Sequence, residues 1–208
     1  MKIEKFDYNS FDELLSNTYV LSDSDNQAVI VDPAKNYDGI VKYLNKNNLH
    51  PVAILLTHGH FDHFGGVEVL FNTFPGLDVY IEEHDYELLF DRRKNCSYMT
   101  MQDVHLNIEC RFVKDKDVLH LLKDDDIEVI YTPFHTTGSV CYYLKNNKWL
   151  LSGDTLFAGG IGRYDLPTSC PRLMNSSLGK LKNLPSDVKI YPGHGPNSTI
   201  GVEFSGIY

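Results

Sequence analysis

Three imidazoles and one carboxylate fall in the short run Thr57-His58-Gly59-His60-Phe61-Asp62-His63, directly after the apolar stretch Val52-Ala53-Ile54-Leu55-Leu56. Imidazole nitrogen and carboxylate oxygen are the donors that zinc and similar borderline cations accept, and catalytic sites of this kind leave one position open for water. If the chain is still extended there, the two-residue alternation of a strand puts His58, His60 and Asp62 on one side and His63 elsewhere. One loop could then serve two neighbouring cations. Three later turns bring the same chemistry, each behind a β-rich run: Thr132-Pro133-Phe134-His135, Ser152-Gly153-Asp154-Thr155 and Pro192-Gly193-His194-Gly195. The glycines at 59, 153, 193 and 195 leave room for close or left-handed backbone around such ligands. Buried carboxylates and imidazoles without a cation are costly, so a purely structural role for the whole set is disfavoured. His50, His84, His105 and His120 stand apart and receive no role.

The elements that must carry these turns can be read from periodicity. Asn17–Leu21 and Gln27–Val31 flank the polar turn Asp23-Ser24-Asp25-Asn26 as a hairpin, and Ile40, Val41 and Leu44 recur at helical spacing before the strand at Val52–Leu56. After the histidine-rich turn, Val67, Leu70, Phe71 and Phe74 mark a helix, Val79–Ile81 a strand, and Tyr86, Leu89 and Phe90 a short helix. Residues 91–126 read as loops and short strands. Strands then return at Ile127–Tyr131, Ser139–Leu144 and Trp149–Ser152, a helix opens at Pro171, and a last strand runs over Val188–Tyr191 into the turn at His194. Both halves follow one plan, which predicts two packed sheets with helices outside.

Bulk composition excludes several classes. The 208 residues, 42% of them hydrophobic, suffice for a sizeable core, and a formal charge of −9 disfavours a general grip on nucleic acid or anionic lipid. Met1–Asp7 has charges where a secretion signal needs an apolar stretch, and no apolar run is long enough to cross a membrane. Cys96, Cys110, Cys141 and Cys170 show no Cys-x-x-Cys spacing and read as reduced thiols. The expectation is a cytoplasmic protein acting on a small molecule, with no nucleic acid or membrane partner.

In their order along the chain, Asp32, the cluster His58 to His63, His135, Asp154 and His194 resemble the five motifs of the metallo-β-lactamase superfamily, over nearly the whole chain. The resemblance implies an α/β fold, a four-layer αββα sandwich of the metallo-β-lactamase type, as one domain over residues 1–208. Gly153-Asp154-Thr155-Leu156-Phe157, Gly160-Ile161-Gly162-Arg163 and Tyr191-Pro192-Gly193-His194-Gly195 look most like the glyoxalase II (hydroxyacylglutathione hydrolase) branch, which hydrolyses acylglutathione thioesters. Carried over, the family pattern assigns His58, His60 and His135 to one metal and Asp62, His63 and His194 to a second, with Asp154 bridging. Two divalent ions per chain are implied, zinc first, with iron and manganese also admitted.

Asp32 matches a position that holds a ligand histidine from behind, and Arg163 one that contacts the glutathione carboxylate. Asp62 would both ligate and orient the nucleophile, a hydroxide held between the metals, as it attacks a thioester or related carbonyl. The helical extension that follows the last motif in that branch has no counterpart before Tyr208, so this resembles a short form, for which weak glutathione recognition is expected. Phe134 stands where the family has a small residue, which predicts a different wall to the first metal's pocket. The main alternative is a persulfide dioxygenase with a single iron, matched by Gly160, Gly162, Arg163 and Asp165. A lactone or ester hydrolase of the same fold and a non-catalytic binding module complete the field.

Overall fold

The computed structural model describes residues 1–7, 16–35 and 37–205. In chain order the strands and helices are β1 (Lys2–Phe6), β2 (Thr18–Ser22), β3 (Gln27–Val31), α1 (Tyr37–Lys46), β4 (His50–Leu55), α2 (Phe61–Phe64), α3 (Val67–Thr73), β5 (Asp78–Glu82) and α4 (Glu83–Tyr86). The second half continues with β6 (Arg111–Val113), β7 (Val118–Leu119), β8 (Ile127–Tyr131), β9 (Val140–Leu144), β10 (Trp149–Gly153), α5 (Met174–Lys182), β11 (Lys189–Pro192), β12 (Ser198–Thr199) and α6 (Ile200–Phe204). They form two six-stranded sheets, ordered β1-β2-β3-β4-β5-β6 and β12-β11-β10-β9-β8-β7.

Strand alternation decides the layering. Tyr19, Leu21, Val29, Val31, Ala53 and Leu55 point from the first sheet into one apolar cluster with Ile127, Val129, Tyr142, Leu144 and Leu151 of the second. Their neighbours Val20, Ala28, Ile30 and Ile54 face the other way, onto Ile40 and Leu44 of α1 and Val67 and Leu70 of α3. In the second sheet Ile130, Cys141, Tyr143, Leu150 and Ile190 turn outward onto Leu178 and Leu181 of α5. Helix, sheet, sheet, helix is the resulting order, the expected αββα sandwich. β3, β4 and β5 are parallel and joined by helical crossovers, so they are covered on both faces and read as continuous apolar runs.

The expected hairpin, the helix around Ile40 and the strands of the second half lie where the periodicity puts them. Three features differ. The charged N-terminus forms β1, paired antiparallel with β2 from Lys2↔Ser22 to Phe6↔Thr18; as an edge strand it tolerates the alternating lysine and glutamate that hide it in the sequence. The short helix expected at Tyr86–Phe90 is divided into α4 and a 3-10 turn over Glu87–Phe90. Beyond His194, β12 and α6 close the second sheet, and no periodic signal announces them.

Candidate metal centre

All of the turns singled out above sit at one end of the two sheets. The chain leaves β4 through Thr57 and His58, and at Phe61 it turns into α2, for which His60 is the N-terminal capping residue. The extended premise therefore fails at that point. Asp62 and His63 stand in a helical turn, and Asp62 is swung away from His58 and His60 toward His194, with Oδ2 3.2 Å from His194 Nε2 and 3.7 Å from His63 Nε2. Candidate donor atoms converge in three overlapping groups: His58, His60 and His135; Asp62, His63 and His194; and His58, His63 and Asp154, the atoms of each within 4.8 Å of one another.

The rings are fixed from outside. The Thr57 hydroxyl donates to Asp32 Oδ2 at 2.7 Å, so it can accept from His58 Nδ1 at 3.1 Å, leaving Nε2 to face inward. His63 Nδ1 donates to Asp32 Oδ2 at 2.9 Å and turns its Nε2 toward Asp154. Asp32 itself takes the Thr57 N–H at 2.8 Å and adopts a left-handed φ of 48°. His135 Nδ1 donates to the backbone carbonyl of Arg163 at 2.7 Å, again sending Nε2 inward. Holding the outer ring nitrogen in this way sets the tautomer and aim of a metal-binding imidazole.

Asp154 lies between the groups. Its Oδ1 is 3.4 Å from His63 Nε2, and its Oδ2 is 3.4 Å from His135 Nε2 and 3.6 Å from His194 Nε2. Two glycines make that approach possible. Gly153 has φ +49°, and a Cβ on it would lie 2.3 Å from Thr57 Oγ1. A Cβ on Gly193 would lie 2.3 Å from Asp154 Oδ1 and 2.7 Å from His63 Cε1.

The donor set fits a cation. His60 Nδ1 is 3.1 Å from His58 Nε2 and 2.9 Å from His135 Nε2, close to the roughly 3.3 Å between corners of a tetrahedron of ligands at zinc–nitrogen bond length. His63 Nε2 and Asp154 Oδ1 are buried with no hydrogen-bond partner among the described residues, as is His60 Nε2. Burial, reinforced by the neighbouring histidines, holds His58 well below the usual imidazole range, and burial lowers His60 to about 3 and also depresses His135. These rings are thus neutral and offer lone pairs. For His63, burial also opposes charge but is outweighed by Asp32, Asp154 and Asp62, which push it well above its ordinary value. Burial of Asp62 is outweighed by His63 and His194, and that of Asp154 by His194, His63 and His135, so both carboxyls are held ionised.

Arg163 borders the cavity over this centre, but its guanidinium is held by Asp165 through two bonds, Nε to Oδ1 at 2.9 Å and Nη2 to Oδ2 at 3.0 Å. Phe134 does not line the cavity. It is fully buried against Ile130, Leu156 and Leu178, beneath the His135 turn, which corrects the expectation of an altered pocket wall. One residue central to the site was missed by sequence reasoning: Asp85, in α4, directly after β5. It is fully buried and accepts from Gly59 N at 2.8 Å, Gly138 N at 2.7 Å and the Thr136 hydroxyl at 2.6 Å, tying the His58–His60 turn to the His135 turn. No spacing signal marks it, because its partners are two backbone N–H groups and one hydroxyl, all distant in the chain.

An αββα sandwich with a buried His and Asp cluster at the strand ends defines the class as a metallo-hydrolase. The chain belongs to the metallo-β-lactamase superfamily, whose family model matches residues 11–194. It is 36% identical over 197 residues to the probable metallo-hydrolase YqgX of Bacillus subtilis, covering 90% of this chain and 89% of that one. A hydroxyacylglutathione hydrolase of Prochlorococcus marinus is 31% identical over 199 residues, covering 93% of this chain and 70% of the relative. Among solved structures, the BLEG-1 B3 metallo-beta-lactamase superposes with TM-score 0.90 at 32% identity, covering 98% of this chain and 97% of that one. TTHA1623 in a di-iron-bound form superposes with TM-score 0.81 at 31% identity, covering 90% and 91%.

Proposed function

We propose that the chain is a dinuclear hydrolase of acyl thioesters or related acyl compounds, with S-lactoylglutathione-type substrates within its range. The observation that carries this reading is the placement of Asp154 between the two sets of donors: its Oδ2 lies 3.4 Å from His135 Nε2 of one set and 3.6 Å from His194 Nε2 of the other, and its Oδ1 lies 3.4 Å from His63 Nε2. In this reading His58, His60 and His135 hold one divalent cation, Asp62, His63 and His194 hold the other, and Asp154 serves both. Cations held there supply Lewis acidity toward a carbonyl oxygen and lower the pKa of water. Zinc is the first choice from the donor set, and the di-iron-bound relative gives iron a claim of its own.

The chain's own contribution is positional and electrostatic. Asp62, held ionised, accepts a hydrogen bond from the attacking water and orients its lone pair toward the carbonyl. Asp32 and the Arg163 carbonyl keep His63 and His135 from rotating out of place. The similarity to a hydroxyacylglutathione hydrolase supports a thioester substrate. Cytoplasmic residence also belongs to this proposal, supported by four free cysteines that suit a reducing compartment; among the described residues no helix is long and apolar enough to cross a membrane. The test joins elemental analysis of protein isolated without chelator to a thioester hydrolysis assay. About two metal equivalents and turnover are expected. One equivalent of iron with oxygen consumption would replace the hydrolase by the persulfide dioxygenase.

A further inference from the structure

We infer that the cavity over the metal centre is built for uncharged acyl compounds carrying an apolar chain, a substrate class that rests on the hydrolase reading and narrows it. The cavity encloses about 300 Å³, at the lower end of ligand pockets and roughly the volume of ten water-sized groups. Its floor is the His and Asp cluster. Most of the remaining lining is apolar: Phe61, Cys96 and Met99 before the second sheet, with Thr100 beside them, and Phe157, Ile161 and Leu166 on the loop after β10.

Met99 and Thr100 belong to a 3-10 turn over Ser97–Thr100, bracketed by Cys96 at φ 69° and Met101 at φ 55°. Non-glycine residues adopt that conformation only when their surroundings hold them there. The hold is visible. Asn95 donates from Nδ2 to Val104 O at 2.8 Å and accepts the Ser97 N–H at 2.9 Å, while its carbonyl takes the Phe61 N–H at 3.1 Å. The apolar wall is thereby fastened to the helix that carries Asp62 and His63. Tyr98, Met99 and Met101 are 42%, 50% and 93% exposed, so the apolar surface continues outward along this segment. Exposed apolar surface next to a cavity marks a place where an apolar ligand is covered.

Charge argues the same way. Among the described residues that line the cavity Arg163 is the one Lys or Arg, and Asp165 already occupies its guanidinium. A substrate carboxylate would exchange one carboxylate for another, with little net gain. Residues 8–15, 36 and 206–208 contain neither Lys nor Arg. Among the described residues, no free Lys or Arg in the lining therefore rewards the two carboxylates of a glutathione thioester. Hydrolysis itself is balanced by water alone: the acyl carbon–sulfur bond breaks, a carbon–oxygen bond forms, and carboxylate, thiol and one proton leave.

The experiment uses the metal-loaded protein as isolated and a series of N-acetylcysteamine thioesters, acetyl, butyryl and hexanoyl, beside S-lactoylglutathione. A fully buried methylene is worth about fourfold, so kcat/KM should rise at least about tenfold from acetyl to hexanoyl, chiefly through KM. Met99→Lys, at a half-exposed position, should lower the hexanoyl rate and raise that of S-lactoylglutathione, narrowing their ratio about tenfold or more. Calorimetric titration of S-hexyl-N-acetylcysteamine and S-methylglutathione, neither of which can be hydrolysed, adds a readout independent of turnover. Preference for S-lactoylglutathione over the hexanoyl thioester, or a flat chain-length series, overturns the inference and leaves the hydrolase standing. If no thioester is turned over, the hydrolase reading falls and the titration decides: tighter binding of the hexyl thioether upholds an apolar site, whereas tighter binding of S-methylglutathione, or of neither, ends it.

Discussion

Replacing Asp85 by Asn should change stability in a way that depends on pH. Asp85 is fully buried, and burial raises its carboxyl from 3.8 to about 6 even though Thr136, Gly59 and Gly138 donate to it. The two influences oppose each other: three donors favour the carboxylate, burial disfavours it, and burial wins. The folded chain then binds this proton more tightly than the unfolded chain does. Stability is consequently lost as pH rises from about 4 to about 6, and two pKa units correspond to about 3 kcal/mol, fully felt above that range. Asn has no such titration. It keeps one oxygen for Gly59 N and Thr136 but sets its amide against Gly138 N, a mismatch of about 1–3 kcal/mol at every pH.

Urea unfolding of metal-free wild type and Asp85→Asn at pH 4.5 and 7.5 gives the difference directly, since the histidines common to both cancel. The variant should be clearly less stable at pH 4.5 and gain about 2 kcal/mol relative to wild type by pH 7.5. The loaded variant should also lose about tenfold or more in kcat, because Asp85 sets the distance between the His58–His60 and His135 turns. An identical stability difference at both pH values would refute the buried, strained carboxylate, and an unchanged kcat would refute its positioning role.

Asp154→Ala should abolish most metal binding and cost several orders of magnitude in activity, whereas His194→Ala should empty one site and spare the other; elemental analysis separates them, and full occupancy in Asp154→Ala would remove the bridge. Gly193→Ala forces a methyl group to within 2.3 Å of Asp154 Oδ1, so it should destabilise by about 1–3 kcal/mol and lower metal occupancy, measured by thermal unfolding and metal content. Chelation should lower the melting temperature by about 10–20 °C, because each of the two ions, bound at a hundredfold excess over its Kd, contributes about 2.7 kcal/mol to the folded state. S-lactoylglutathione and the lactoyl thioester of a small neutral thiol should differ by no more than about tenfold in kcat/KM, a gap near 1.4 kcal/mol.

What the sequence disclosed and what it concealed divide along a physical line. His58, His60, His63, His135, Asp154 and His194, whose donor atoms the structure brings together, could be singled out because their side chains carry the donor chemistry themselves and stand in polar turns behind apolar strands. The sheets could be found because Tyr19, Leu21, Val29 and Val31 alternate with Val20, Ala28 and Ile30, and each set meets its own layer. Strand alternation alone groups Asp62 with His58 and His60, because it runs one residue beyond the point where Phe61 starts a helix, whereas the family resemblance groups it with His63 and His194, as the donor atoms converge. The Arg163 carbonyl and Asp85 were invisible for a different reason. One acts through a backbone atom, which any residue type possesses, and the other accepts from backbone N–H groups 26 and 53 residues away. Neither interaction requires a local pattern, so neither leaves one. The candidate ligands of such a centre are therefore legible one by one, while the bonds that hold its loops in register emerge only once the two sheets are brought together.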